Sequence, residues 1–241
     1  MMSRVPWILV ASCTLACGGE QPPEPAVATT STAPTAPPTD TSTASAVASA
    51  SAAPPDAGPP TPAAPAVHGM ALPGITAPAF LDYIAYEPAN ARVWVPVGND
   101  GSVDVYDVQA GTFAHVGGFA TAERENKGKK RTMGPSAASV GDGVVYIGDR
   151  ASNEICPVDV STLKPGKCLK LKSQTDGVAY VAPAKEVWVT TPKDQTLTVL
   201  DATKADTLKP KTTIKTDGSP EGYAVDATHG MFFTNLEDKD K

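Results

Sequence analysis

The chain has 241 residues, 41% of them hydrophobic but only 6% aromatic, with a formal net charge of -6 and a pI near 5.1. Such an acidic balance argues against nucleic acid as the main partner, because phosphate binding needs a cationic face. No Lys or Arg stands between Arg4 and Arg92, and no aromatic residue between Trp7 and Phe80, so a packed core is expected only after about Leu72.

The first twenty residues, MMSRVPWILVASCTLACGGE, carry one Arg, an apolar run from Val5 to Ala16, and small residues around two cysteines. That run is too short to span a bilayer and matches the hydrophobic part of a secretory signal. It resembles a bacterial lipoprotein signal, in which a cysteine after small residues is lipidated and becomes the new N-terminus. Cys17 is the preferred acceptor, since it leaves a longer apolar region and is followed by Gly18 and Gly19. Cys13 is the alternative, because VASC fits the usual letter pattern better than TLAC; an ordinary cleaved signal with an incidental cysteine is the third reading. The resemblance implies a membrane partner through acyl chains, each buried methylene contributing about 0.8 kcal/mol. Gly18 after the anchor, rather than Asp, implies sorting to an outer membrane, with the protein facing periplasm or cell exterior. Residues 1–17 are thus expected to be signal.

Residues 18–73 are nearly all Pro, Ala, Ser and Thr. This is low complexity and is expected to form a disordered tether with a coil span of ~40 Å.

Residues 74–241 repeat themselves. Aligned on the middle residue, the triplets are Val93-Trp94-Val95, Val145-Tyr146-Ile147, Val187-Trp188-Val189 and Met231-Phe232-Phe233. Thirteen residues after each of the first three aromatics stands an Asp: Asp107, Asp159 and Asp201. Nine residues after are Val103, Ile155 and Leu197, and twelve after are Tyr106, Val158 and Leu200. These positions have opposite parity, so both faces of the strand carry apolar groups, as stacked sheets require. Spacings of 52, 42 and 44 residues, with four short strands per unit, match the period of a β-propeller blade. The expected fold is all-β: a partial propeller of about three and a half four-stranded blades, near 80–132, 133–174, 175–216 and 217–241.

The pattern V-W-V, a turn, T-L-T-V-L-D, and later DGSPEGYAVD at Asp217 to Asp226 resembles the YVTN-type repeats of YncE-like propeller proteins. The resemblance implies an extracytoplasmic, typically seven-bladed ring. Here the fourth Asp is due at position 245, past Lys241, so a truncated gene product or fragment is expected, or else an open arc that closes by dimerisation. In either case an unpaired edge invites oligomerisation.

Carboxylates stand in the loops leading into the innermost strands. Asp82 and Asp176 lie twelve residues before Trp94 and Trp188, and Glu221 eleven before Phe232. Converging there, they could hold Ca²⁺ or a polar ligand; capping of turns is the simpler and preferred role. Between the first two blades, TAERENKGKKRTMGPS carries Lys127, Lys129, Lys130 and Arg131, a cationic patch for phosphate, an acidic glycan or an acidic partner. A solvated loop balanced by Glu123 and Glu125 is the preferred alternative. The patch is no nucleotide-binding loop, since Lys130 stands where Ser or Thr would hold Mg²⁺. Cys156 and Cys168 are expected on the third and fourth strands of blade two, joined by a disulfide; buried thiols or metal ligation are the alternatives. Three isolated histidines offer no metal spacing and no nucleophile-base pair.

The expected function is a membrane-anchored cell-envelope module that binds or scaffolds a protein, a glycan or a small ligand, without a cofactor. The alternative is a propeller enzyme, either a lactonase or other metal-assisted hydrolase, or a quinoprotein-like oxidoreductase.

Overall fold

Sixteen strands follow one another in a computed structural model, which describes residues 67–76, 78–126 and 128–239. The expected signal, most of the tether, both candidate lipidation cysteines and Lys127 lie outside the described residues. Among the described residues, no helix is long and apolar enough to cross a membrane.

The first sheet is an antiparallel meander of β1 (Ala85–Glu87), β2 (Arg92–Val97), β3 (Ser102–Asp107) and β4 (Thr112–Val116). A hairpin of β5 (Ala122–Asn126) and β6 (Lys129–Met133) comes next. The second sheet holds β7 (Pro135–Val140), β8 (Val144–Asp149), β9 (Glu154–Asp159) and the short β10 (Leu169–Lys170), and the third holds β11 (Val178–Val181), β12 (Glu186–Thr191), β13 (Thr196–Asp201) and β14 (Lys209–Lys215). A two-stranded half sheet, β15 (Pro220–Asp226) and β16 (Met231–Leu236), ends the series. Each sheet is a blade, and the strand order within it equals the chain order, as expected for a partial propeller.

The Asp at the end of each third strand closes the following turn. Asp107 accepts from the N–H groups of Gln109 and Ala110, and Asp201 from Thr203. Asp159 accepts from the N–H and hydroxyl groups of both Ser161 and Thr162. These donors, the Ser161 hydroxyl first, hold the Asp159 carboxyl down at about 2, from 3.8. Side-chain acceptance of turn N–H groups is the ordinary chemistry of Asp, and here it recurs with the repeat.

The cores lie between blades. Trp94, Val103, Val105 and Val116 of the first blade meet Ala138, Val145, Ile147 and Val158 of the second. The opposite face of that second sheet, with Val144, Tyr146 and Ile155, packs on Val178, Val187, Val189 and Leu200 of the third. The third blade in turn lays Ala179, Trp188, Leu197 and Val199 on Phe232 of the half blade. Neighbouring residues such as Val145 and Tyr146 therefore belong to different cores, because successive strand side chains point to opposite faces.

This parity corrects the fourth register. Trp94, Tyr146 and Trp188 are each the third residue of their strand, and each faces the blade that follows. The third residue of β16 is Phe233, whereas Phe232 is the second and faces back to stack on Trp188, ring centroids 5.1 Å apart. Phe233, not Phe232, is thus the repeat counterpart of Trp188. Two adjacent phenylalanines look alike in sequence, but a shift of one residue moves a strand's side chains to the other face. With Phe233 as reference, Glu221 lies twelve residues before it and shares the repeat position of Asp82 and Asp176.

The stretch between blades one and two also differs from the expected solvated loop. It forms the β5–β6 hairpin, with Glu125 opposite Lys130 and Arg124 opposite Arg131. In blade two, Cys156 in β9 and Cys168 just before β10 are joined by a disulfide with an S–S distance of 2.01 Å.

Phe232 is 4% exposed. Phe232→Ala is expected to cost about 3 kcal/mol in urea unfolding, the low end for a buried Phe, and Phe233→Ala less than about 1 kcal/mol. Equal costs at the two positions would reject the corrected register.

Candidate functional site at the channel mouth

The innermost strands β1, β7, β11 and β15 lie side by side; Asp82 and Asp176, in the segments leading into β1 and β11, meet at Arg150, whereas Glu221 is the second residue of β15 itself. Tyr83 fixes the first of these junctions: its N–H donates to Ser136 O (2.9 Å), and its own carbonyl accepts from Ala138 N–H (3.0 Å). A second backbone bond recurs with the repeat. Gly98 N–H donates to Phe80 O, Arg150 N–H to Gly134 O and Glu237 N–H to Ser219 O, at 2.9 to 3.0 Å. Gly98, Arg150, Pro192 and Glu237 are therefore equivalent, each being the first residue after the second strand of its blade. This is the rim of the expected channel mouth.

Arg150 organises the site. Its guanidinium Nη2 lies 3.0 Å from Asp82 Oδ2 and also pairs closely with Asp176 Oδ1. The Asp176 side chain is 4% exposed, Arg150 15% and Asp82 32%, so the pair is inside at Asp176 and open at Asp82. A cavity of about 220 Å³ lies beside the guanidinium, lined also by Gln174, Thr175, Asp176, Lys193 and Glu221. Thr175 is fully buried, and its hydroxyl has no partner among the described residues.

Glu221 completes the carboxylate set. Burial first, then the charge of Glu237 and a hydrogen bond with it, push the Glu221 carboxyl above its ordinary range, against the opposing pull of Arg150. Tyr223, two residues on, stacks on Tyr83 with centroids 5.7 Å apart, and its hydroxyl donates to Val178 O. The Tyr83 phenol is pushed up to about 12 by burial, with the charges of Asp82 and Glu221 adding to it; burial alone does the same to Tyr223.

The structure thus brings Asp82, Asp176 and Glu221 to one place and puts a guanidinium between the first two. That guanidinium stands where a Ca²⁺ ion bridging Asp82 and Asp176 would sit. The basic patch is elsewhere on β6: Lys129 and Lys130 are exposed, and Arg131 lies over the Phe80 ring at 5.6 Å. Glu154, Cys156 and Cys168 also cluster, but the disulfide occupies both sulfurs. His115 pairs with Asp104 and His229 with Asp226, both away from this cavity. Sequence reasoning missed Arg150, although the signal was present: the equivalent residues are Gly98, Pro192 and Glu237, so a cation there breaks the repeat.

No family model and no curated protein matches the chain. Among solved structures, hydrazine synthase of Kuenenia stuttgartiensis is similar at a TM-score of 0.47 and 15% identity, over 63% of this chain and 41% of its own. The Cps50 (Swd1) β-propeller domain of Myceliophteria thermophila gives 0.47 and 9%, over 61% and 46%. A protein from Lactobacillus plantarum gives 0.48 and 13%, over 60% and 46%. The chain spans less than half the length of these structures. The fold stands on the strand pairing described above, and these likenesses bear on no activity.

Removing Arg150 leaves a buried carboxylate without its counter-charge. Arg150→Met is expected to destabilise the protein by about 3 kcal/mol or more in urea unfolding. Asp82→Asn, at the open side, is expected to cost less than about 1 kcal/mol. The reverse order would place the anchor at Asp82.

Proposed function

We propose that this chain is a cell-envelope binding module, a YVTN-type propeller arc that presents the cavity beside Arg150 to a polar ligand. The supporting observation is that the out-of-pattern Arg150 lines one cavity together with Asp176 and Glu221 and also pairs with Asp82, the third carboxylate of the same repeat position. A set used only to cap turns would be engaged by its own local backbone, as Asp107, Asp159 and Asp201 are. Asp82 and Asp176 instead share a guanidinium contributed by a different blade.

Attachment to an outer membrane through Cys17, or Cys13, is part of this reading and rests on the small residues and apolar run of the N-terminus. The ligand reaches the module as a small molecule, a glycan or a protruding group of an envelope protein. The β16 strand has one partner among the described residues, which supports association through its other edge. The enzyme alternative needs oxygen ligands free to take a metal, and the two aspartates are engaged by Arg150.

Millimolar CaCl2 is therefore expected to leave the thermal midpoint unchanged. A rise of several degrees that is lost in an Asp82→Ala, Asp176→Ala double variant would move the protein to the metal-assisted class. Radioactive palmitate is expected to label the expressed protein and to be lost in Cys17→Ser; retained label in that variant would assign the anchor to Cys13.

A further inference from the structure

We propose that the open edge of β6 takes an extended acidic segment of another protein as a third strand of the β5–β6 hairpin. Lys129, Lys130 and Arg131 do not line the cavity beside Arg150, so this surface goes beyond the reading above. The first ground is the edge itself. β5 and β6 pair only with each other among the described residues, which makes the hairpin a two-stranded sheet outside the blades. Apart from its pairing with β5, Lys129–Met133 makes no backbone hydrogen bond to the rest of the chain among the described residues. Alternate N–H and C=O groups of such an outer strand stay unpaired, and they offer a template to another chain.

The second ground is charge, which the register sorts. Arg124 stands directly opposite Arg131, so with Lys129, two residues before Arg131, three cations share one face of the hairpin. Glu123 and Glu125 are on the other face, with Lys130 opposite Glu125. Arg124, Lys129, Lys130 and Arg131 are all exposed, and none forms an ion pair among the described residues. Like charges facing each other across a strand pair are unfavourable, and carboxylates brought alongside would relieve them.

Geometry selects both the partner and the side. Same-face residues of a strand are about 7 Å apart, so acids at every second position of an extended peptide would lie beside Lys129 and Arg131 in register. β6 is the cationic strand, whereas β5 carries Glu123 and Glu125 and would repel an acidic strand at its own edge. Both guanidinia are already held in place. Arg131 lies over the Phe80 ring at 5.6 Å, and Arg124 Nη2 donates to Ala151 O at 3.3 Å. Neither contact neutralises the charge, and side chains fixed in advance lose less entropy on binding. An added strand takes affinity from main-chain hydrogen bonds and selectivity from alternate side chains. An acidic glycan would use the charge but leave the edge unmet.

Fluorescence anisotropy of labelled octapeptides titrated with the full chain tests this. A peptide alternating Glu and Thr is expected to bind, and its Lys/Thr counterpart to stay silent. The triple variant Lys129→Gln, Lys130→Gln, Arg131→Gln, folded by circular dichroism, is expected to bind the Glu/Thr peptide about tenfold or more weakly. Should that variant fail to fold, Lys130→Glu alone carries the test. A peptide alternating Glu and Pro keeps the charge but lacks half the N–H donors and cannot pair as a strand, so it is also expected to bind about tenfold or more weakly. Equal binding of the Glu/Pro or the Lys/Thr peptide overturns the added strand, as does silence of the Glu/Thr peptide or undiminished binding in the folded variant. Binding of polygalacturonate in place of the Glu/Thr peptide overturns it too and assigns an acidic glycan. The substituted residues lie outside the cavity beside Arg150, so the calcium result above judges that reading separately.

Discussion

Each blade is a twisted sheet with two apolar faces, and no blade can cover both alone. Everything else in the structure depends on that constraint. Val145 and Ile147 need the first blade, while Val144 and Tyr146 need the third. The hydrophobic contribution, about 25 cal/mol for each Å² of apolar surface removed from water, is therefore realised at blade junctions rather than within a blade. Stability in such an array is a property of neighbours, as in other repeat architectures.

The same packing creates the candidate site. Stacking the blades brings the innermost strands together at one end, and equivalent residues of successive blades arrive at one rim. A repeat that placed the same carboxylate there in every blade would gather like charges with nothing to balance them. Arg150 breaks the pattern in the second blade and holds Asp82 of the first and Asp176 of the third. It links three blades through one planar group, a task suited to a guanidinium, whose five donors can meet two carboxylates at once. The site thereby acts as a polar clasp across the rim and as the wall of a cavity.

Legibility in the sequence followed periodicity. The blades, their four-strand order and the capping aspartates could be read because each feature recurs at a fixed spacing: Asp107, Asp159 and Asp201 each lie thirteen residues past their aromatic. The fourth blade was misread by one residue because Phe232 and Phe233 are chemically identical, and only packing against Trp188 distinguishes them. The β5–β6 hairpin was hidden for a different reason. Its strands are rich in exposed charged residues, Glu123, Arg124, Glu125, Lys129, Lys130 and Arg131, so their pairing leaves little hydrophobic signal.

By itself, the sequence determined the class of fold and the division into blades, since apolar residues of both parities in strand-length segments can be buried only by stacking sheets. It also named the three acids that meet at the rim. Only the tertiary structure decided that Arg150 stands between two of them and that Glu221 shares their repeat position and lines the cavity beside Arg150. Those facts depend on contacts between blades, and contacts between residues far apart in the chain leave no periodic mark in it.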